Sequence, residues 1–174
     1  MNGRSVVYLG LGSNLGNREA NLRMALRWLE PLVRVEAVSS LYETEPAGTG
    51  GPPYYNAVAR AVTGLTPQAL LRHAKNVEWD IGRRPAPRWA PRPIDIDVLV
   101  FGDETVNEPD LIVPHPLLAE RAFVLVPLAE LAADLRPPGA KAPVAELRSQ
   151  VDTRGVTKLR GPEWVEPALA LVRP

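Results

Sequence analysis

The chain has 174 residues, no cysteine, and 20 basic residues that balance 20 acidic ones. That length supports one domain with a proper core, and the missing thiols exclude a disulfide framework and any cysteine-held metal. A neutral chain is a poor match to a nucleic acid backbone as main partner, and no apolar run approaches the length of a membrane span.

The opening Met1-Asn2-Gly3-Arg4 leads into a short run broken by glycines, without the apolar region of a secretion signal, so the cytoplasm is the expected location. Ser5 to Leu11 reads as a first strand and Gly12 to Asn17 as the loop that follows it. Glycines at 10, 12 and 16 miss the dinucleotide fingerprint, which needs one at 15, and no Lys-Ser/Thr pair follows for a P-loop. A tight strand-to-helix turn is the plain reading. Asn17 is a candidate N-cap for a helix over 18–29, whose apolar stripe is Leu22, Ala25, Leu26 and Leu29 before Pro31 ends it.

Val33 to Tyr42 reads as a second strand with Val33, Val35 and Ala37 on one face, and Ser39-Ser40 interrupts the alternation. Residues 44–53 hold three Gly and three Pro, the composition of a disordered stretch or a lid. Tyr54 to Val62 is a third strand. Tyr54 and Asn56 share one face of it, an aromatic and an amide suited either to a planar heterocycle or to a plain sheet edge. Thr66 caps a second helix with Pro67 at its first turn, an apolar stripe of Leu70, Leu71, Ala74, Val77 and Ile81, and Gly82 as its stop. His73 and Glu78 on that helix read as solvated surface groups.

An Arg/Pro-rich segment follows and runs into Ile94-Asp95-Ile96-Asp97-Val98, the fourth strand. Alternation puts Asp95 and Asp97 on one face, with side chains about 7 Å apart. Two such carboxylates repel unless a cation lies between them, and carboxylate oxygens suit Mg²⁺. Arg83, Arg84, Arg88 and Arg92 stand just upstream, and guanidinium forks suit phosphate oxygens. Metal carboxylates beside phosphate-binding arginines indicate Mg-nucleotide chemistry; the plainer alternative is a solvated strand face beside an exposed loop.

Beyond a turn at 101–104, residues 106–113 read as a polar connection. Pro114 and Pro116 pin His115 between them, and a third helical pattern starts at Leu117. After Ala132 the chain is Pro-rich, with a short helical pattern over 144–151, and the last twenty residues carry no readable motif. The order β-α-β-β-α-β predicts an α+β fold of ferredoxin-like type: an antiparallel sheet with helices packed on one face and extra C-terminal helical segments. It places the first and fourth strands together at the centre. Residues 1–174 form one domain on this reading, with a core over 5–131 and a tail over 132–174.

Three motifs in order carry a family resemblance: Gly12-Ser13-Asn14-Leu15-Gly16, the run from Arg88-Trp89 to Asp95-Ile96-Asp97, and Pro114-His115-Pro116 with Arg121-Ala122-Phe123. From about Val6 to Leu131 the chain resembles the 6-hydroxymethyl-7,8-dihydropterin pyrophosphokinases of folate biosynthesis. The resemblance implies transfer of pyrophosphate from ATP to the hydroxymethyl oxygen of the reduced pterin, with release of AMP. It implies two Mg²⁺ ions on Asp95 and Asp97, with Arg83 or Arg84, Arg88 and Arg92 in the catalytic set. Lys75, Glu78, Trp89, Arg92, His115 and Arg121 fall on the ATP side; Arg88 and Trp89 belong to a closing loop. Tyr54 and Phe123 resemble the aromatics that sandwich the pterin, with Asn56 at its polar edge and Thr44 and Ala47 at loop positions whose backbone contacts it. The partners implied are the two small molecules, with neither nucleic acid nor membrane, and a monomer is favoured. The alternatives are another Mg-dependent nucleotide transferase and a ferredoxin-like RNA-binding module. The latter lacks the aromatic strand motif such modules carry.

Overall fold

The computed structural model describes residues 3–46, 51–87 and 90–166. Strand β1 (Ser5–Ser13) is the axis of the sheet. Its odd positions Val7, Leu9 and Leu11 are buried on one face, and Tyr8 is buried on the other. β1 pairs antiparallel with β4 (Tyr54–Thr63) on one side and β5 (Asp95–Phe101) on the other. β4 in turn pairs with both β2 (Val33–Val38) and β3 (Leu41–Thr44). A strand from the tail, β8 (Val156–Arg160), completes the order β5-β1-β4-β3-β8. Between β5 and the tail, β6 (Val106–Glu108) and β7 (Leu111–Val113) form a separate hairpin.

Helices cover both faces. α1 (Arg18–Leu29) and α2 (Pro67–Ile81) bury Leu22, Leu26, Leu29, Leu70 and Val77 in one core with Leu9, Leu11 and Ile96. α3 (Ala122–Ala132) and α4 (Val144–Ser149) close the second core on Tyr8, Val58 and Leu99. Both long helices start as their caps dictate: Asn17 Oδ1 accepts from Ala20 N–H and Thr66 Oγ1 from Ala69 N–H. Gly82 stops α2 with φ 115°, a left-handed conformation that glycine adopts without penalty.

Several sequence expectations need correction. The first strand runs on to Ser13 rather than ending at Leu11, so Gly12 as well as Gly10 lies inside the sheet. The second strand is two, parted at Ser39-Ser40, and a register shift between Val35 and Ala37 puts Val38 rather than Ala37 in the core. β5 pairs only with β1, so it forms an edge rather than the centre. The polar stretch at 106–113 is a hairpin, and the third helix starts at Ala122 rather than Leu117. The tail that carried no motif supplies β8 and a 3-10 turn (Pro162–Val165) whose Trp164 is fully buried. Helices lie on both faces because α3 has its own apolar stripe, Val124, Leu125 and Leu128.

Candidate active site

Strand alternation sets up the site. Gly10 and Gly12 place no side chain on the α3 face of β1; Leu99 packs against Gly10, and Asn56 and Tyr54 stand over Gly12. In register, Gly12 stands opposite Asn56 on β4 and Asp95 on β5, while Gly10 stands opposite Asp97. Asp95 and Asp97 therefore share a face with Asn56 and Tyr54, with only glycine on β1 between them. A Cβ at position 12 would stand 3.1 Å from Asn56 Oδ1 and 3.6 Å from Tyr54 Cδ1.

On the β4 side, Asn56 is 6% exposed and its Nδ2 donates to Thr44 Oγ1 at 2.6 Å. That bond holds the amide plane fixed. Burial pushes the Tyr54 phenol up, and Arg92, Asp95 and Arg83 are near enough to act on it as well. Phe123, in the first turn of α3, packs against the second core, and the Arg121 guanidinium lies 5.5 Å from its ring centroid.

The β5 side is a charge network. Arg83 Nη1 donates to Asp95 Oδ1 at 2.5 Å and reaches Glu78 Oε2 at 2.8 Å, and Arg92 Nη1 lies 3.3 Å from Asp95 Oδ2. Glu78 is only 2% exposed, so it is not the surface group its place on a helix suggests. Its Oε1 accepts from Ile96 N–H, 2.7 Å away on the outer edge of β5, and Lys75 Nζ donates to it at 3.0 Å. Burial raises the Glu78 carboxyl, against the pull of Lys75 and that amide.

Asp97 lies deeper. Burial first, and the neighbouring Asp95 second, push its carboxyl up, opposed by His115, Lys75 and Arg121. Its Oδ2 is 4.0 Å from His115 Nε2 and 3.9 Å from Arg121 Nη1. His115 is fixed on both sides: its N–H donates to Leu99 O at 2.9 Å and its Nδ1 accepts from Leu117 N–H at 3.1 Å. The neutral ring thus carries its proton on Nε2, facing Asp97. Burial lowers its pKa and favours that neutral form.

Of the two adjacent arginines, Arg83 meets the carboxylates. Arg84 stacks on the Trp79 ring, 4.0 Å from its centroid, and donates to Trp79 O. Thr44, Tyr54, Asn56, Lys75, Glu78, Arg83, Arg92, Asp95, Asp97, His115, Arg121 and Phe123 are all described, and Ala47, Arg88 and Trp89 lie outside the described residues. His73, the other histidine, sits apart from the site with Nε2 on Leu29 O.

Asn14 joins the two loops beside the site. Its backbone N–H donates to Arg92 O at 3.2 Å, its Oδ1 accepts from Arg92 N–H at 2.8 Å, and its Nδ2 donates to Pro52 O at 3.4 Å. The sequence places it in the Gly12–Gly16 motif without a role, because the loops it ties lie 38 and 78 residues away. Among the described residues no group of three or more His, Asp or Glu could hold a metal. Asp95 and Asp97 still suit Mg²⁺, which is commonly held by one or two carboxylates together with substrate phosphates. The repulsion between the two carboxylates, which helps push Asp97 up, is what a divalent cation would relieve.

One face of this small α+β protein thus bears carboxylates and arginines on β5 and, across Gly12, an amide fixed by Thr44 beside Tyr54, the convergent polar groups of a ligand-binding site. The sequence profile of the 7,8-dihydro-6-hydroxymethylpterin-pyrophosphokinase (HPPK) family matches residues 8–133, and the chain belongs to that family. The 2-amino-4-hydroxy-6-hydroxymethyldihydropteridine pyrophosphokinase of Pseudomonas aeruginosa is 42% identical over 158 residues, covering 89% of this chain and 97% of its own. Its counterpart from Aquifex aeolicus is 38% identical over 147 residues, 84% of this chain and 92% of its own. In structure, the HPPK-DHPS of Plasmodium falciparum aligns with a TM-score of 0.72 at 16% identity, over 85% of this chain. The chain spans 44% of that longer protein, and the likeness speaks for the fold alone.

Proposed function

We propose that the protein transfers the pyrophosphoryl group of ATP to the hydroxymethyl oxygen of 6-hydroxymethyl-7,8-dihydropterin, a step of folate biosynthesis. The observation that carries the proposal is the position of Gly12, opposite Asn56 and Asp95 at once. The amide and the carboxylate are then two strand spacings apart, about 10 Å. A pterin ring held at Asn56 directs its hydroxymethyl arm past Gly12 towards the carboxylates. The strand order supports a ferredoxin-like reading of the sheet, and we treat residues 1–174 as one pyrophosphokinase domain.

In this reading Tyr54 and Phe123 flank the pterin, Asn56 and Thr44 meet its polar edge, and Ala47 contributes from the adjoining loop. Asp95 and Asp97 would hold Mg²⁺, two ions in our proposal, which neutralises triphosphate charge and aligns it for in-line attack. Arg83, Arg92 and Arg121 bind phosphate oxygens, and His115 donates from Nε2. Lys75 and Glu78 set the nucleotide side, and Arg88 and Trp89 belong to the segment that shields the site from water.

The acceptor oxygen bonds to the β-phosphorus of ATP as its link to the α-phosphate oxygen breaks. AMP leaves with the bonding pair, and the acceptor proton passes to solvent. No side chain serves as a dedicated base. Asp95 and Asp97 are committed to cations, and the Nδ1 lone pair of His115 is occupied by Leu117 N–H.

The test is one incubation with ATP, Mg²⁺ and the pterin, read by phosphorus NMR. AMP with a new pterin diphosphate signal supports the reading. ADP would make the protein a simple kinase, and unchanged ATP would overturn the proposal.

A further inference from the structure

Glu130 lies outside the catalytic network, seven residues beyond Phe123 on α3. Two helical turns separate them, so they lie on the same side of the helix about 10 Å apart along its axis. Its carboxylate joins three elements. Oε2 accepts from Ser40 N–H at 2.7 Å, Oε1 accepts from Tyr42 OH, and Lys158 Nζ of β8 stands 3.5 Å away. Ser40 sits where β2 gives way to β3, and its N–H has this carboxylate as acceptor in place of a strand.

Tyr42 is the link to the site. It is buried, and in the β3–β4 ladder it stands directly opposite Asn56, with Thr44 opposite Tyr54. One strand segment therefore bears the phenol that grips α3 and the threonine that orients Asn56. The other contacts of α3 are apolar, through Val124, Leu125 and Leu128. Apolar burial is non-directional and tolerates sliding, whereas a carboxylate between two fixed donors sets a register.

We propose that Glu130 is a positioning residue for pterin binding: through Tyr42 and Ser40 it locks the helix that carries Phe123 to the strand that orients Asn56. The inference rests on the functional reading above and deepens it. Removing the carboxylate strands the Ser40 amide and the Tyr42 hydroxyl in the interior and frees α3 to shift. The opening between ring and amide then loses its fixed width. Most of the phosphate side is built on β5 and α2 and is untouched, with Arg121 at the N-cap of α3 its one tie to the helix.

The experiment compares steady-state kinetics of the wild type with Tyr42→Phe, Glu130→Gln and Glu130→Ala, varying pterin and ATP in turn. KM for the pterin should rise about fivefold or more in Glu130→Ala and Tyr42→Phe, with less effect in Glu130→Gln, which keeps an acceptor. KM for ATP should stay within about twofold, and Glu130→Ala should add little to Phe123→Ala, because the two act through one contact. If Glu130→Ala fails to fold, Tyr42→Phe and Glu130→Gln carry the same comparison. Equal shifts in both KM values, a lower melting temperature with unchanged KM, or full additivity with Phe123→Ala would each overturn the inference and leave only a structural clamp. A wild type that never consumes the pterin would instead overturn the functional reading, and the inference with it.

Discussion

Gly12 of β1 and Asn56 of β4 face each other so closely that a methyl group on Gly12 would sit 3.1 Å from Asn56 Oδ1. The separation is tighter than ordinary van der Waals contact, and Thr44 fixes the amide from the other side. Gly12→Ala should therefore fold, tilt Asn56, and weaken pterin binding several-fold with ATP binding unchanged. Calorimetric titration of each substrate measures both, and a loss of ATP affinity of equal size would contradict the geometry.

Phe123→Ala should weaken pterin binding by about 1–3 kcal/mol, from lost stacking and burial. The same titration reads it. A loss confined to ATP would place the ring on the wrong side of the site.

Arg83 neutralises both Glu78 and Asp95, whereas Arg84 rests on Trp79. Arg83→Ala should lower kcat by about a hundredfold, and Arg84→Ala should cost clearly less. The reverse order would mean that the nucleotide rearranges this pair of arginines on binding.

Asp97→Ala removes a half-buried carboxylate that His115 and Arg121 face. Turnover should fall by a hundredfold or more, and ATP should bind poorly in Mg²⁺. Near-normal ATP affinity measured in Mg²⁺ would shift the metal role to Asp95.

Glu130 gives a pH signature. Burial works to raise its carboxyl, but the Ser40 amide, the Tyr42 hydroxyl and Lys158 outweigh it and hold the group below the ordinary 4.5. A carboxyl whose folded pKa is depressed stabilises the protein fully above its unfolded value, and that contribution fades as pH falls through the folded one. Tyr42, whose phenol burial and Glu130 raise, stays a neutral donor throughout this window. Relative to Glu130→Gln, the wild type should lose its advantage in melting temperature progressively below pH 4.5. A difference that stays constant across that range would mean the clamp does not depend on charge.

Much of the architecture was legible because periodicity reports burial directly. The stripes of α1 and α2, their caps at Asn17 and Thr66, and the shared face of Asp95 and Asp97 all emerge from local pattern. What stayed hidden is what local pattern does not encode. Glu78 looks solvated on a helix, and only the tertiary position of Ile96 N–H reveals why it is buried. Gly12 looks like a turn residue until β4 and β5 flank it and bring Asn56 and Asp95 opposite it at once. β8 is an exposed, charged edge strand whose partner lies more than a hundred residues earlier, so nothing nearby announces it. The choice between Arg83 and Arg84 likewise depended on where each guanidinium ends up.

Trp164 donates its indole N–H to Ser39 O across 125 positions of sequence. A contact of that span is made late, after the entropy of closing a long loop has been overcome. The hinge between β2 and β3 therefore acquires its last hydrogen bond near the end of folding, together with the seating of β8. Trp28 and Trp79 are largely exposed and Trp164 is fully enclosed, so the blue-shifted part of the emission spectrum should trace that closing event in a refolding experiment.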